Sequence, residues 1–412
     1  MSRKTRLPVR LFNIVGRVVS RSRGSWVDVI DQMQEKVAAE TGCDDFGDSY
    51  YREALDVLAR AYDEEASFTP FGRMGVVGQL SNILRNRLVV QRSLVENPQV
   101  LEAPIEKPLF IVGLPRTGTT ALHFLVAADP NVQALEYWVG SSPRPRPPRE
   151  TWEGEKAFKN ALRELKSMYW LDPDLKAIHL MTADGPDECR HLLCHTFSDD
   201  GFDCNATVPS YAAWYDAQDM RAAYREHKML LQLIGSTSPE KRWVLKYPAH
   251  IRNLRTIFEV YPDARVVQCH RDPSKVLPSI CSLVAGWRAL SEGSIDRTLV
   301  GRRMLDLWAT SLEKGMQDRA DLTRVLGEDR FVDLDFREVL GNPVSAMRQV
   351  YDTLGYEMTD EAEARLRSWH EANPRGKHGA HEYTAEEYGL TTTMIQDRFA
   401  GYLDHYDVPR GL

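Results

Sequence analysis

A short loop with two glycines carries the residue types that hold a phosphate group. Gly113 and Gly118 have the G-x-x-x-x-G spacing of a phosphate loop, in which backbone N–H groups and a helix N-terminus point at one anion. The polar side chains that accompany them are Arg116, Thr117, Thr119 and Thr120. A nucleoside-triphosphate loop carries lysine at the position of Thr119. The loop therefore predicts a phosphate site that lacks the lysine specific for nucleoside triphosphates.

A second cationic group is predicted at the end of a later buried segment. The segment 265–269 has the character of a strand, and Arg271 lies two residues beyond it. Asp272 is a favourable N-cap and Pro273 suits the first position of a helix. Arg271 is therefore expected at a strand end, with Ser279 about two turns into the following helix.

Two further basic segments accompany these sites. Lys246 ends the apolar run WVLK, and a Gly-rich cationic segment, NPRGKHG, spans residues 373–379. The residues of this segment that suit an anion are Arg375, Gly376 and Lys377, although an isolated segment of this kind is more often a solvated loop.

The elements that must position these residues alternate between strands and helices. Predicted strands at 109–112, 243–246, 265–269 and 331–334 are each followed by a helical pattern, which is typical of parallel βαβ units. We predict an α/β fold with a P-loop-like parallel sheet flanked by helices. Residues 1–100 are expected to form a helical N-terminal region. Residues 101–412 are expected to form the α/β domain, with a helical insertion at about 141–240.

Composition narrows the class of protein. The chain has 412 residues and a net charge of −7, so a nucleic-acid partner is not expected. No apolar run is long enough to span a bilayer. The six cysteines show no Cys-x-x-Cys pair and no zinc-binding spacing, which favours reduced thiols in the cytoplasm. The sequence leaves the oligomeric state open.

The first 24 residues contain seven cationic side chains and no acidic residue, interleaved with apolar residues. This pattern predicts an amphipathic helix that either lies on an anionic membrane surface or docks on the rest of the protein. Docking is the simpler interpretation, and peripheral membrane contact is the alternative.

The segment PRTGTT resembles the 5′-phosphosulfate loop of sulfotransferases that use 3′-phosphoadenosine 5′-phosphosulfate (PAPS). The resemblance extends from about Asp45 to the C-terminus and is strongest for bacterial and actinobacterial members. It implies that the loop amides and the hydroxyls of Thr117, Thr119 and Thr120 hold the 5′-phosphate. It places Arg116 beside the bridging oxygen of the leaving group.

The other basic segments are similar to further parts of the same family. The resemblance implies that Arg271 and Ser279 bind the 3′-phosphate, because the family's arginine and serine keep the same interval of eight residues. Arg375, Gly376 and Lys377 are similar to a late segment that folds over this phosphate. The spacing of that segment is not identical, so its assignment is weaker.

Sulfuryl transfer needs stabilisation of charge on the leaving oxygen and a base for the acceptor's proton. Arg116 and Lys246 can stabilise the negative charge on the leaving oxygen without a metal. The segment KYP resembles the Lys-x-Pro of tyrosylprotein sulfotransferases, which implies a glutamate base near Glu136. The cytosolic enzymes have histidine where this chain has Pro248. Other groups that could act as the base are His250, His195 and the Asp187-Glu188 pair.

The predicted reaction is sulfuryl transfer from PAPS to a hydroxyl of a small-molecule, lipid or glycolipid acceptor, with PAPS as co-substrate and no metal. The aromatic residues between 152 and 215 favour an apolar acceptor. Two alternatives belong to other classes. A P-loop kinase would require lysine at position 119 and an acidic strand end for Mg²⁺. A non-catalytic nucleotide- or membrane-binding module would use the same loops without turnover.

Overall fold

The computed structural model describes residues 6–19, 24–178, 180–373 and 383–411. Within these residues, a parallel sheet of five strands forms the centre of the molecule, in the spatial order β2-β3-β1-β4-β5. Its strands are β1 (Leu109–Gly113), β2 (Val132–Ala134), β3 (Arg242–Lys246), β4 (Arg265–His270) and β5 (Phe331–Asp335). β3 and β4 flank β1, and all three strands are parallel. The predicted site segments that follow these three strands therefore meet at the carboxyl edge of the sheet.

Helices surround the sheet and form the N-terminal region. In the first half of the chain they are α1 (Leu7–Val19), α2 (Trp26–Thr41), α3 (Tyr51–Glu64), α4 (Pro70–Glu96), α5 (Thr119–Val126), α6 (Tyr137–Gly140), α7 (Lys156–Leu171), α8 (Leu175–Ile178), α9 (Arg190–Leu193) and α10 (Gly201–Asn205). In the second half they are α11 (Pro209–Asp216), α12 (Arg221–Gly235), α13 (Leu254–Val260), α14 (Pro273–Glu292), α15 (Arg297–Leu326), α16 (Phe336–Gly341), α17 (Pro343–Leu354), α18 (Asp360–Ala372), α19 (Thr392–Arg398) and α20 (Ala400–His405).

Alternate residues of the central strands enter two different cores. Phe110 and Val112 of β1 pack into a large cluster that also contains the buried side chains of α2–α4 and α12. Leu109 and Ile111 face the opposite way, into a smaller cluster built with α5, α17 and α18. Because both faces of the sheet are covered, the central strand β1 is apolar along its whole length, as expected for a buried parallel strand.

The N-terminal helices share their core with the sheet. Trp26 of α2, Leu58 of α3 and Leu84 of α4 are almost completely buried and belong to the same cluster as Phe110. The predicted helical character of this region is therefore observed. Its boundary at residue 100, like that of the predicted insertion, stays a prediction.

The predicted fold class is confirmed, and four strands lie within a residue of their predicted bounds. The strand β2 was not predicted, because its three residues are too few to show a pattern. Among the described residues, no helix has both the length and the apolar character needed to cross a bilayer.

Candidate active site

The loop between β1 and α5 is a turn that its own side chains close. The Thr117 hydroxyl donates a hydrogen bond to the carbonyl oxygen of Leu114 at 2.7 Å. A Cβ atom on Gly113 would lie 2.5 Å from the carbonyl oxygen of Cys269, so only glycine lets β1 and β4 approach this closely. Arg116 has φ +69°, a left-handed conformation that is uncommon outside glycine. The conformation of the turn is therefore held by contacts within the protein.

The loop presents the groups that are predicted to bind phosphate to a large cavity. Thr119 and Thr120 are the first residues of α5, where backbone N–H groups lack intrahelical partners. Both residues line the cavity together with Arg116 and Gly118. An anion at this point meets the positive end of the helix dipole. Thr117 lies beneath the loop, and its hydroxyl is already used by the loop backbone rather than directed at the cavity.

Lys246 reaches the same point from the end of β3. Its ammonium group lies 3.3 Å from the Thr120 hydroxyl oxygen and forms an ion pair with Glu188. The Lys246 side chain is only 5% exposed, and the Glu188 carboxylate compensates for the loss of its hydration. The structure thus brings the predicted cation of β3 to the N-terminus of α5.

Glu188 is held at this edge of the sheet by backbone hydrogen bonds on both sides. The N–H group of Asp187 donates to the carbonyl oxygen of Leu135 at 2.7 Å, and that of Cys189 donates to the carbonyl oxygen of Lys246 at 2.9 Å. These two bonds fix the segment across the ends of β2 and β3. The Glu188 side chain therefore contacts Lys246 and lines the cavity.

Arg271 and Ser279 form a second potential phosphate site. One guanidinium nitrogen of Arg271 donates a hydrogen bond to the carbonyl oxygen of Arg116 at 3.0 Å. The central guanidinium carbon of Arg271 lies 4.0 Å from the centre of the Phe336 ring. The Ser279 hydroxyl is buried without a hydrogen-bond partner among the described residues. A buried hydroxyl without a partner is costly, so a ligand that bonds to it is favoured.

The cavity has a volume of about 1410 Å³, and both polar and apolar side chains line it. The loop before α5, Lys246 and Arg271 contribute cationic and hydroxyl groups. Its apolar lining includes Ile83, Val89, Phe124, Met168, Met181, Leu283, Trp287, Leu307, Trp308 and Trp369. The cationic groups suit a nucleotide donor, and the apolar side chains suit an apolar acceptor.

Glu136 does not line this cavity. Its carboxylate accepts a hydrogen bond from Arg146 at 3.0 Å, and Arg146 also donates to Gln133 and to the carbonyl oxygen of Ala134. Burial raises the pKa of Glu136, although Arg146 acts in the opposite direction. The predicted role of Glu136 as a base therefore conflicts with its position, because Arg146 holds the carboxylate away from the reacting groups.

The two candidate histidines are held neutral by burial. His250 is completely buried, its Nδ1 lies 2.7 Å from the Tyr224 hydroxyl, and it does not line the cavity. Burial lowers the pKa of His250 well below its ordinary value. His195 does line the cavity, but burial lowers its pKa to about 3. Of the candidate bases, Glu188 is the one that both lines the cavity and contacts Lys246.

A buried acidic network next to Lys246 was not predicted from the sequence. The Tyr247 hydroxyl contacts Asp199 at 2.9 Å and also Asp200, while Arg190 pairs with Asp199 at 3.2 Å. Burial and the neighbouring Asp199 carboxylate raise the pKa of Asp200 to about 7. Tyr247 lies 47 and 48 residues from the two aspartates in the sequence, so only the folded chain brings it to them.

The structure places the predicted site residues in different surroundings. Arg116, Gly118, Thr119, Thr120, Lys246 and Arg271 line one cavity, and Ser279 is buried in the helix that follows Arg271. Arg375, Gly376 and Lys377 lie outside the described residues. Their assignment, like the assignment of every site residue to a role, stays a prediction.

The chain is similar to sulfotransferases of known structure. It is 34% identical to the sulfotransferase STF1 of Mycobacterium tuberculosis H37Rv, with a TM-score of 0.81 over 90% of this chain and 98% of that one. It is 32% identical to the sulfotransferase STF9 of Mycobacterium avium, with a TM-score of 0.82 over 92% and 97% of the two chains.

A curated relative and a family model agree with these structures. The omega-hydroxy-beta-dihydromenaquinone-9 sulfotransferase Stf3 of Mycobacterium bovis is 22% identical over 340 residues, which are 80% of this chain and 82% of the relative. The model of the sulfotransferase family matches residues 108–360, which include both β1 with its loop and the Arg271 motif. The chain is an enzyme that belongs to the sulfotransferase family.

Proposed function

We propose that the enzyme transfers a sulfuryl group from PAPS to a hydroxyl group of an apolar small molecule or lipid. The observation that carries this proposal is the meeting of Lys246, Glu188 and Thr120 in the wall of one cavity that also has many apolar lining residues. A donor phosphate on the loop would put its sulfuryl group beside Lys246. An acceptor held by the apolar residues would present its hydroxyl group to Glu188.

The chemistry follows from these positions. The acceptor oxygen attacks sulfur, and the bond from sulfur to the bridging oxygen breaks. Its electron pair leaves with the 5′-phosphate of adenosine 3′,5′-bisphosphate. Lys246 and Arg116 neutralise the charge that develops on the leaving oxygen. Glu188 accepts the proton of the acceptor hydroxyl, so that the products are a sulfate monoester and the bisphosphate.

The donor assignment rests on two separated anion sites. The loop before α5 suits the 5′-phosphate. Arg271 and the Ser279 hydroxyl, which has no hydrogen-bond partner in the described part of the chain, suit the 3′-phosphate. Thr119 stands where a nucleoside-triphosphate loop has its lysine. A bisphosphate therefore fits this arrangement better than ATP does.

We expect Arg271→Ala to weaken binding of adenosine 3′,5′-bisphosphate by about 1.5–3 kcal/mol, the usual contribution of a hydrogen bond to a charged group. Isothermal titration calorimetry measures this change. Arg144→Ala is the matched control, because Arg144 lines the same cavity but bonds to Ser142. Equal affinity of the wild type for the bisphosphate and ATP would favour a kinase-like function instead.

The acceptor class rests on the apolar lining of the cavity. The relative Stf3 is named for an omega-hydroxylated menaquinone, which is an apolar molecule with a hydroxyl group. This supports a lipid or another apolar alcohol for the present enzyme. We place the reaction in the cytoplasm, since all six cysteines are unpaired.

The helix α1 gives a lipid acceptor a route from a membrane. Its exposed apolar side chains are Leu7, Leu11, Phe12, Ile14 and Val15. The helix is docked, as the simpler interpretation of the sequence predicts: Asn13 accepts a hydrogen bond from the backbone of Phe71 at 2.9 Å, and Arg6 stacks on Trp170. Those contacts join α1 to α4 and α7, which both line the cavity.

Docking and membrane contact are therefore compatible. The apolar side of α1 stays exposed after docking, and the seven cations of residues 1–24 complement anionic lipid. We expect the pair Leu11→Glu and Ile14→Glu to lower binding to phosphatidylglycerol vesicles about tenfold or more, because two apolar side chains are lost from the contact. Flotation of the protein with vesicles measures this.

Val325→Glu is the matched control, since Val325 is 82% exposed on α15. It should leave vesicle binding unchanged. If the α1 variant bound vesicles as tightly as the wild type, or if neither protein bound them, membrane contact through α1 would be rejected. The proposal of PAPS-dependent transfer would not be affected by that result.

A further inference from the structure

Three metal-binding side chains meet beneath the active site. They are Cys189, which precedes α9, His227 of α12, and His250 of the turn after β3. All three are completely buried, and their ligand atoms lie within 4.8 Å of one another. The metal-binding atoms therefore converge on one interior point.

The two histidines are oriented toward this point by tyrosines. The Nδ1 atom of His250 lies 2.7 Å from the Tyr224 hydroxyl, and that of His227 lies 2.7 Å from the Tyr261 hydroxyl. Both Nε2 atoms are buried without a hydrogen-bond partner among the described residues. Two such atoms are unfavourable in an apolar interior unless something binds them.

We infer that Cys189, His227 and His250 form a site for a d¹⁰ metal cation, either Zn²⁺ or Cu⁺. One sulfur and two imidazole nitrogens are the donors these ions prefer. In metal sites, the second ring nitrogen of a histidine ligand is usually held by a neighbouring group, as Tyr224 and Tyr261 hold these. Ligand atoms around such an ion lie about 3.5 Å apart, so small side-chain movements close the site.

The net charge of the bound unit depends on which ion binds. The cysteine loses its proton when the metal binds, as thiol ligands do. Cu⁺ with one thiolate is a neutral unit, whereas Zn²⁺ leaves one positive charge.

A metal ion at this site would hold in place the segments that carry Glu188 and Lys246. Cys189 follows Glu188 directly, and its N–H group donates to the carbonyl oxygen of Lys246. His250 follows Lys246 by four residues in the sequence. A cation bound here links the segments that carry Glu188 and Lys246, together with α12. It takes no part in sulfuryl transfer itself, which agrees with a reaction that needs no metal.

The first test measures metal in the purified full-length protein by inductively coupled plasma mass spectrometry. Metal-free protein is then titrated with Zn²⁺, and separately with Cu⁺ under anaerobic reducing conditions. We expect one equivalent of one of these ions per chain and a higher unfolding temperature when it is bound. Either ion supports the site and identifies its preference, and binding of neither overturns it.

Variants show whether this cluster is the location. Cys189→Ala should weaken binding of the metal at least about a hundredfold, and Tyr224→Phe about 10- to 100-fold, since it removes a group that orients a ligand. Cys281→Ala is the matched control, because Cys281 is equally buried and lies outside the cluster. If Cys189→Ala and Tyr224→Phe both bound like the wild type, the ion would lie elsewhere and the inference would be wrong.

The proposed site can be tested even if Cys189→Ala fails to fold. The number of metal ions bound per wild-type chain can by itself rule out the site, and Tyr224→Phe preserves the shape of the core. Cobalt substitution adds a direct signature, because a thiolate ligand gives Co²⁺ a charge-transfer band in the near ultraviolet. If the metal-free protein binds Zn²⁺, this band should appear after cobalt substitution of the wild type and of Cys281→Ala.

Discussion

Glu188→Gln is expected to lower turnover by about 10²–10⁴ while binding of adenosine 3′,5′-bisphosphate stays intact. Glutamine preserves the shape of the side chain but cannot accept the proton of the acceptor. Glu188 lines the cavity and contacts Lys246, so its carboxylate lies beside the group that we propose meets the transferred sulfuryl group. Single-turnover kinetics with PAPS and an acceptor identified by screening apolar alcohols measures the effect.

Two other carboxylates serve as controls for this result. Glu164 lines the same cavity, so Glu164→Gln tests the effect of removing a nearby charge. Glu136→Gln tests the rival base and should reduce stability, because it breaks the buried pair with Arg146. Both should keep near wild-type turnover per folded molecule. Wild-type turnover in Glu188→Gln, with a large loss in Glu136→Gln or His250→Ala, would move the base to that residue.

Lys246→Ala is expected to lower turnover by about 10²–10³, the usual loss when one partner of a transition-state charge is removed. Arg116→Ala should have a loss in the same range. The ammonium group of Lys246 touches Thr120 at the start of α5, where the donor phosphate is proposed to bind. The loss should therefore appear in the rate of transfer, with a smaller effect on bisphosphate affinity.

Lys156→Ala is the matched control for Lys246→Ala, because Lys156 lines the cavity on α7 and is distant in sequence from the loop. Thermal unfolding of each variant separates loss of folding from loss of catalysis. Glu188 and Lys246 form one ion pair, so their two substitutions should be strongly non-additive in a double-mutant cycle. A change confined to the Michaelis constant would make Lys246 a binding residue.

The strands and the phosphate loop were predictable because their signals are local. The run Leu109–Gly113 is apolar at every position, and Gly118 follows at a fixed spacing. The Arg271 motif was similarly visible, since Asp272 caps α14 through its side chain as the sequence predicts. Each of these features depends on neighbours within a few residues.

The base could not be selected from the sequence because tertiary contacts decide its position. The short connection after α5 suggested that Glu136 returns over the loop, but Arg146, in the middle of a proline-rich segment, binds its carboxylate. His250 follows a strand end, yet the turn directs it into the core against Tyr224. Backbone bonds from a distant segment bring Glu188 to Lys246.

The metal cluster illustrates the same limit. Cys189, His227 and His250 belong to three separate segments and show none of the short spacings by which zinc sites are recognised in sequences. The sequence therefore predicted no metal site, and the folded chain places three ligand atoms together.

A crystal structure with adenosine 3′,5′-bisphosphate tests the proposed donor site most directly. We predict that the 5′-phosphate contacts the backbone of Gly118–Thr120 and that Lys246 turns toward it. The 3′-phosphate should contact Arg271 and the Ser279 hydroxyl. A bisphosphate bound in the reverse orientation, or bound outside this cavity, would contradict the proposed donor site and the roles given to Lys246 and Glu188.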